Sequence, residues 1–245
     1  MIASASREFQ DAPAFTTCLP NGFNGRLSYD EVDRLSDAFA AYLRLELGLR
    51  EGDRVALQSP NCLSFPVVAF GVLKAGCVLV NTNPLYTPTE MERQFRDADP
   101  AAIVVADLFA DRLEEVLPAI GPRPVVLVRI DEFFPRYVSG IVRTVQRVWT
   151  RSLPRVRFPA VRMRDALTAG ERHGADVRAW WATLGHDDLA VLQYTGGTSG
   201  VAKGAMLTHG NLLANCQQML QMVGGHLRPG AETVLTALPM YHVFA

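Results

Sequence analysis

The sequence predicts an α/β fold: a mostly parallel sheet in layers, with helices on both faces. Two observations carry that expectation. Short runs rich in Val, Ile, Leu and Ala, with no polar alternation to mark a solvated face, recur over residues 54–130. Segments with helical periodicity separate them, and strands joined through helices pair in parallel by right-handed crossovers.

The elements follow in order. Ser28 and Glu31 have capping-box spacing, and Val32, Leu35, Phe39, Tyr42 and Leu43 then repeat at helical spacing until Gly48, which predicts an amphipathic helix. The turn residues Glu51, Gly52 and Asp53 precede a strand over 54–58, an apolar helix over about 63–75 and a second strand over 77–81. Thr87, Pro88 and Glu90 supply an N-cap, a first-turn proline and an N3 glutamate, opening a helix that ends near Asp99 and Pro100. Two further apolar runs, 101–106 and 124–130, flank a helix over about 108–117.

Bulk composition bounds the function. The 245 residues are 49% hydrophobic and 20% charged, as in an ordinary globular chain long enough for one large domain or two small ones. With 24 Lys plus Arg against 25 Asp plus Glu, no global field draws the chain to nucleic acid. Four scattered cysteines and five histidines make neither a disulfide framework nor a zinc site, which fits a reducing compartment. Arg7 and Glu8 interrupt the start before an apolar core can form, so no secretory signal is expected and the expected location is cytoplasmic. The apolar stretch 63–80 is broken by Pro66, Gly71, Lys74 and Gly76, whereas a spanning helix needs about 20 mostly apolar residues.

Residues 136–164 carry eight arginines and no acid, with Tyr137, Trp149 and Phe158 interleaved. Helical spacing would align Arg136, Arg143, Arg147 and Arg151 on one face, with Val138, Ile141, Val145 and Val148 offset from it, so a basic amphipathic surface segment is expected over about 130–165. A solvated helix packed on its own domain is the ordinary reading. Peripheral contact with an anionic membrane, at its inner face, is the sharper one. No nucleic-acid motif accompanies the patch.

The chemistry concentrates after residue 189. A buried-strand pattern ends at Tyr194, and Thr195-Gly196-Gly197-Thr198-Ser199-Gly200-Val201-Ala202-Lys203-Gly204 follows. Gly196, Gly197 and Gly200 permit close backbone approach, so successive N–H groups can converge on phosphate oxygens. Thr195, Thr198 and Ser199 add hydroxyl donors, Lys203 adds a point charge, and a hydroxyl such as that of Thr198 can also reach magnesium. The spacing excludes a Walker A loop, whose Gly-Lys-Ser/Thr ending is absent. A loop this dense in donors suits ATP. After 205–209 a helix is expected, with Thr208 as its N-cap and Leu212, Leu213, Cys216, Met219, Leu220 and Val223 as its apolar face.

The stretch from Tyr194 to Asn211 closely resembles the phosphate loop of the adenylate-forming superfamily. Leu27-Ser-Tyr29, Gly52-Asp-Arg-Val55, Asn81-Thr-Asn-Pro-Leu-Tyr86 and Leu238-Pro-Met-Tyr-His-Val-Phe-Ala245 extend the likeness to bacterial long-chain fatty-acid CoA ligases. Ser199 stands where that family often has threonine, which keeps the hydroxyl. The resemblance implies fatty-acid activation: the carboxylate attacks the α-phosphate of ATP with Mg2+, releasing diphosphate, and coenzyme A then displaces AMP from the acyl adenylate. It implies that Tyr194, Thr195, Gly196, Gly197, Thr198, Ser199, Gly200, Lys203 and Gly204 hold nucleotide phosphate, with Thr198 at the metal, and that Tyr241 and His242 line the junction of the nucleotide and acyl pockets. The implied role of His242 is positional. Another acid:CoA ligase, acting on aryl or medium-chain acids, shares the loop, and a non-catalytic nucleotide- or membrane-binding remnant is the reading from another class. Because such ligases run to roughly twice this length or more, residues 1–245 are expected to form the N-terminal portion of an adenylation domain, without its C-terminal domain, and to be inactive and poorly stable alone.

Overall fold

The computed structural model describes residues 2–20, 22–195 and 202–242. Helix α1 (Ile2–Phe9) and a small antiparallel pair, β1 (Pro13–Cys18) with β2 (Asn24–Ser28), precede helix α2 (Tyr29–Ala41). The expected capping box of α2 is formed: Ser28 Oγ accepts the Glu31 amide at 3.2 Å and the Glu31 carboxylate accepts the Ser28 amide at 2.8 Å. The helix widens into a π turn at Tyr42–Glu46 and stops at Gly48, whose φ of +69° costs glycine nothing.

The main sheet then begins with β3 (Arg54–Gln58), α3 (Ser64–Lys74), β4 (Val78–Thr82) and α4 (Pro88–Ala98). Helix α4 starts on the predicted Thr87 cap, and the two Thr87 hydrogen bonds to the Glu90 carboxylate hold that carboxyl below its usual range. Strand β5 (Ala102–Ala106), helix α5 (Ala110–Ile120), strand β6 (Val125–Val128), helix α6 (Arg136–Thr144), strand β7 (Val161–Arg162) and helix α7 (Met163–Arg172) continue it. After a short helix α8 (Arg178–Trp181), strand β8 (Leu189–Thr195) returns to the sheet, followed by β9 (Lys203–Thr208) and helix α9 (His209–Val223).

The seven strands lie in the order β7-β6-β5-β3-β4-β8-β9, parallel except for β9, which pairs antiparallel with β8. The α/β expectation is therefore met, with one antiparallel edge strand that sequence patterning missed. Successive strand residues face opposite layers: Val55 and Leu57 enter one core and Ala56 the other, as do Val104 and its neighbours Ile103 and Val105. Phe39 and Leu43, Val72 and Met163 fill the first layer, from α2 and its π turn, α3 and α7, while Met91 and Phe95 of α4 and Leu113 of α5 fill the second. The connection from β3 to β4 runs one way along the sheet and that from β4 to β5 runs back past β3. Right-handed crossovers then require α3 and α4 on opposite faces, where they are.

Helix α2 is clamped between α3 and α7. A Cβ at Gly170 would lie 1.8 Å from the Ala38 carbonyl oxygen, and one at Gly71 would lie 2.9 Å from Phe39 Cβ. Lys74 of α3 is buried with its Nζ 2.5 Å from Asp33 Oδ1 and 2.6 Å from Asp37 Oδ1; burial raises the Asp37 carboxyl while Lys74 opposes the rise.

Two consequences are testable by chemical denaturation. Gly170→Ala must push α7 off the Ala38 main chain, and a loss of about 2–3 kcal/mol is expected; unchanged stability would contradict the clamp. Lys74→Met keeps the stem but leaves Asp33 and Asp37 facing each other, with an expected loss of about 2–4 kcal/mol at neutral pH that shrinks once the Asp37 carboxyl, raised by burial, protonates in acid.

Candidate functional site

Parallel strands deliver their carboxyl ends to one edge of the sheet, and in open α/β sheets ligands bind outside that edge near the reversal of strand order. The reversal here falls between β3 and β5. Three strands near it carry amides at or close to their carboxyl ends, the buried Gln58 on β3 and Gln193 on β8 and the half-buried Asn81 on β4, each set in an otherwise apolar run. Asn81 Nδ2 donates to Gln193 Oε1 at 2.9 Å, and Gln94 Nε2 donates to the Asn81 carbonyl at 2.9 Å. The side-chain oxygens of Gln58 and Asn81 have no donor among the described residues, although both are buried. Buried acceptors of that kind are costly, so a donor from a water or a ligand would be favoured there.

The hairpin of β8 and β9 stands beside this network. Thr195, the last residue of β8, pairs with Lys203, the first of β9, and Tyr194 pairs with Gly204. Lys203 and Thr195 are therefore cross-strand neighbours at the mouth of the loop, and both are exposed. Tyr194 is half-buried and its hydroxyl donates to Asp97 Oδ2 at 2.5 Å; burial first, then the Asp97 charge, pushes its ionisation well above the ordinary tyrosine range. Its ring lies against Gly204, where a Cβ would come 3.0 Å from Tyr194 Cζ, so glycine there lets the ring pack down. Gly196, Gly197, Thr198, Ser199 and Gly200, the centre of the predicted phosphate loop and its metal-facing hydroxyl, lie outside the described residues. The donor set that is visible, a lysine and a threonine across a hairpin mouth, fits a nucleotide phosphate with its cation.

Residues 236–242 come to the same edge. Asn61, in the turn after β3, donates from Nδ2 to the carbonyls of Thr236 at 3.3 Å and Leu238 at 2.9 Å and accepts the Met240 amide at 2.7 Å. Gln193 Nε2 donates to the Tyr241 carbonyl at 2.9 Å. Tyr241 is half-buried against the core, and His242 is exposed with its amide on the Pro239 carbonyl at 2.8 Å. The structure thus brings Tyr194, Lys203, Tyr241 and His242 to one region, through two tethers, Asn61 and Gln193, that motif reading did not single out. Their signal is an amide inside an apolar strand and an asparagine after a strand-ending Ser-Pro.

Helix α9 begins on the expected Thr208 cap, with Asn211 completing a reciprocal pair at 3.0 and 3.2 Å. It starts only after β9, so Lys203 sits on a strand and not on the approach to a helix.

Comparison with known proteins gives this edge a context. The chain is 43% identical over 246 residues to a long-chain-fatty-acid–CoA ligase of Salmonella typhimurium, covering 100% of this chain and 42% of that protein. It is 33% identical over 249 residues to one of Bacillus subtilis, covering 100% of this chain and 42% of that protein. The chain thus spans about two-fifths of the length of these relatives. Among solved structures, a long-chain-fatty-acid-CoA ligase from Archaeoglobus fulgidus superposes with a TM-score of 0.71 at 21% identity, over 98% of this chain and 42% of that one. ATP-bound MatB from Rhodopseudomonas palustris gives 0.66 at 25% identity, over 98% of this chain and 41% of that one. The family of AMP-binding enzymes matches residues 2–245, and the chain belongs to it.

Proposed function

We propose that the protein containing this chain is an acid–thiol ligase that activates long-chain fatty acids, forming an acyl adenylate from ATP and transferring the acyl group to coenzyme A. The observation that carries this reading is the 43% identity to a long-chain-fatty-acid–CoA ligase, over an aligned span that covers this whole chain and so includes the hairpin, the Asn61 turn and the 236–242 segment. In this reading the loop spanned by Thr195 and Lys203, with Gly196, Gly197, Thr198, Ser199 and Gly200, binds the phosphates beyond the bond that breaks. Lys203 then meets the charge that grows on the departing diphosphate, which is where a preorganised cation lowers a barrier. A magnesium ion, held with the help of Thr198, would neutralise the same oxygens. Gln193 and Asn61 hold the main chain of 236–241, so Tyr241 and His242 are positioned by backbone tethers. The choice of long-chain over medium-chain or aryl acids rests on the similarity to the long-chain relatives alone.

We also propose peripheral contact of residues 136–164 with an anionic membrane at its cytoplasmic face. Tyr137, Val148 and Trp149 are 70%, 68% and 87% exposed among the arginines, which supports it. Among the described residues no helix is long and apolar enough to cross a membrane.

The deciding measurement is acid-dependent exchange of labelled diphosphate into ATP by the protein, across palmitate, octanoate and benzoate. Exchange is expected with palmitate, and Lys203→Ala is expected to lower it by about 100-fold or more. Preference for benzoate or octanoate would move the substrate class, and no exchange with any acid would leave a non-catalytic nucleotide binder.

A further inference from the structure

A concave site lies at the same sheet edge but away from the hairpin. An open cavity of about 1200 Å³ stands at the carboxyl ends of β5, β6 and β7, roughly 15–20 Å from β8 by the spacing of the intervening strands. Eight arginines line it. Four are matched by carboxylates: Arg143 with Asp107 at 2.9 Å, Arg164 with Glu132 at 2.8 Å, Arg162 with Asp165 at 2.8 Å, and Arg129 with Asp131. Asp107 and Glu132 are buried in the floor, and burial raises both carboxyls against the pull of these arginines. The other four, Arg147, Arg151, Arg155 and Arg157, are exposed and have no ion-pair partner among the described residues. Four uncompensated guanidiniums around one concavity repel each other and offer forked donors suited to phosphate oxygens.

Backbone geometry singles out one of them. The π turn Val145–Trp149 closes with the Thr150 amide on the Val145 carbonyl at 2.9 Å and the Ser152 amide on the Gln146 carbonyl at 2.9 Å, and Arg151 between them has φ +49°. The earlier π turn, Tyr42–Glu46, closes in the same register: Leu47 to Tyr42 at 3.1 Å, Leu49 to Leu43 at 3.0 Å, with the left-handed residue between them Gly48 at φ +69°. The same turn thus occurs twice, once with glycine where left-handed backbone demands it and once with arginine. Arginine adopts that conformation only at a cost in stability, and such strain gathers where a side chain has work to do.

We propose that this cavity binds a phosphate-bearing anion through Arg147, Arg151, Arg155 and Arg157, and that arginine occupies the strained position 151 because its guanidinium serves that ligand. The anion is either a free phosphate or diphosphate or the headgroup phosphate of a lipid. Val148 and Trp149 stand exposed on the same turn, beside the cavity, where the second source would place acyl chains.

Arg151→Gly separates binding from folding, because it relieves the left-handed strain while removing one cation. The full chain, its Lys203→Ala form to silence the hairpin, and Arg151→Gly and Arg147→Gln/Arg155→Gln built on that form would be titrated with inorganic diphosphate. The same proteins would be floated with vesicles of phosphatidylcholine with and without phosphatidylglycerol, at one fixed salt concentration. The expected result is binding that survives Lys203→Ala, falls about tenfold in Arg151→Gly and further in the double arginine variant, with the thermal midpoint of Arg151→Gly equal to or above its parent's. Response to diphosphate assigns the soluble anion, and response only to phosphatidylglycerol vesicles assigns the headgroup. Binding of neither probe, or equal binding by the arginine variants, overturns the proposal.

Discussion

Burial of a parallel sheet on both faces is the constraint from which the rest follows. Main-chain pairing from β5 through β3 and β4 to β8 is shielded because the middle residues of these strands, such as Val55, Leu57, Leu79, Val104 and Val191 on one side and Ala56, Val80, Ile103 and Val105 on the other, enter apolar layers. A polar side chain in mid-strand would lose water without gaining a partner, so polar chemistry is driven to the strand ends. Gln58, Asn81, Asp107, Arg129 and Gln193 mark that boundary strand by strand. Because the strands are parallel, all of those ends lie on one edge.

That edge is divided by chemistry. On the side of β4 and β8 it carries an amide chain that ties these two strands to the Tyr241 main chain, beside Lys203 at the hairpin mouth. On the side of β5, β6 and β7 it is ionic, with buried carboxylates matched by arginines and further arginines left over. Amides orient their partners without adding net field. Surplus guanidinium suits retention of an anion whose chemistry does not change. The helices behind the edge are rigidly held, since glycines at positions 71 and 170 let α2 approach both neighbours and Lys74 bridges α3 to it.

Much of this was legible along the chain. The caps at Ser28, Thr87 and Thr208 were readable because a cap is a contact between residues three apart, and the apolar runs of β3 to β6 were readable because burial on both faces leaves no alternation to misjudge. Strand β9 was not, because Lys203-Gly-Ala-Met-Leu-Thr208 has no strand pattern of its own and is extended only through pairing with β8. The arginine row was half-readable: the helix exists, but a π turn shifts its second half, Arg143 turns inward to Asp107, and the left-handed Arg151 ends the row. Asn61 and Gln193 carried no motif, since each works by touching main chain 175 to 179 or 48 residues away.

The family, the α/β class, the positions of the principal helices and the residue types of the glycine- and hydroxyl-rich loop are matters of local pattern. They depend on periodicity, caps and a contiguous motif, which neighbours in sequence suffice to define. Which amide meets which carbonyl, that Lys203 faces Thr195, and that four arginines have no ion-pair partner among the described residues beside four that are paired were decided only when distant strands came into register. Those facts depend on long-range pairing and on the competition of buried charges for partners, and neither is encoded in any short stretch of the chain.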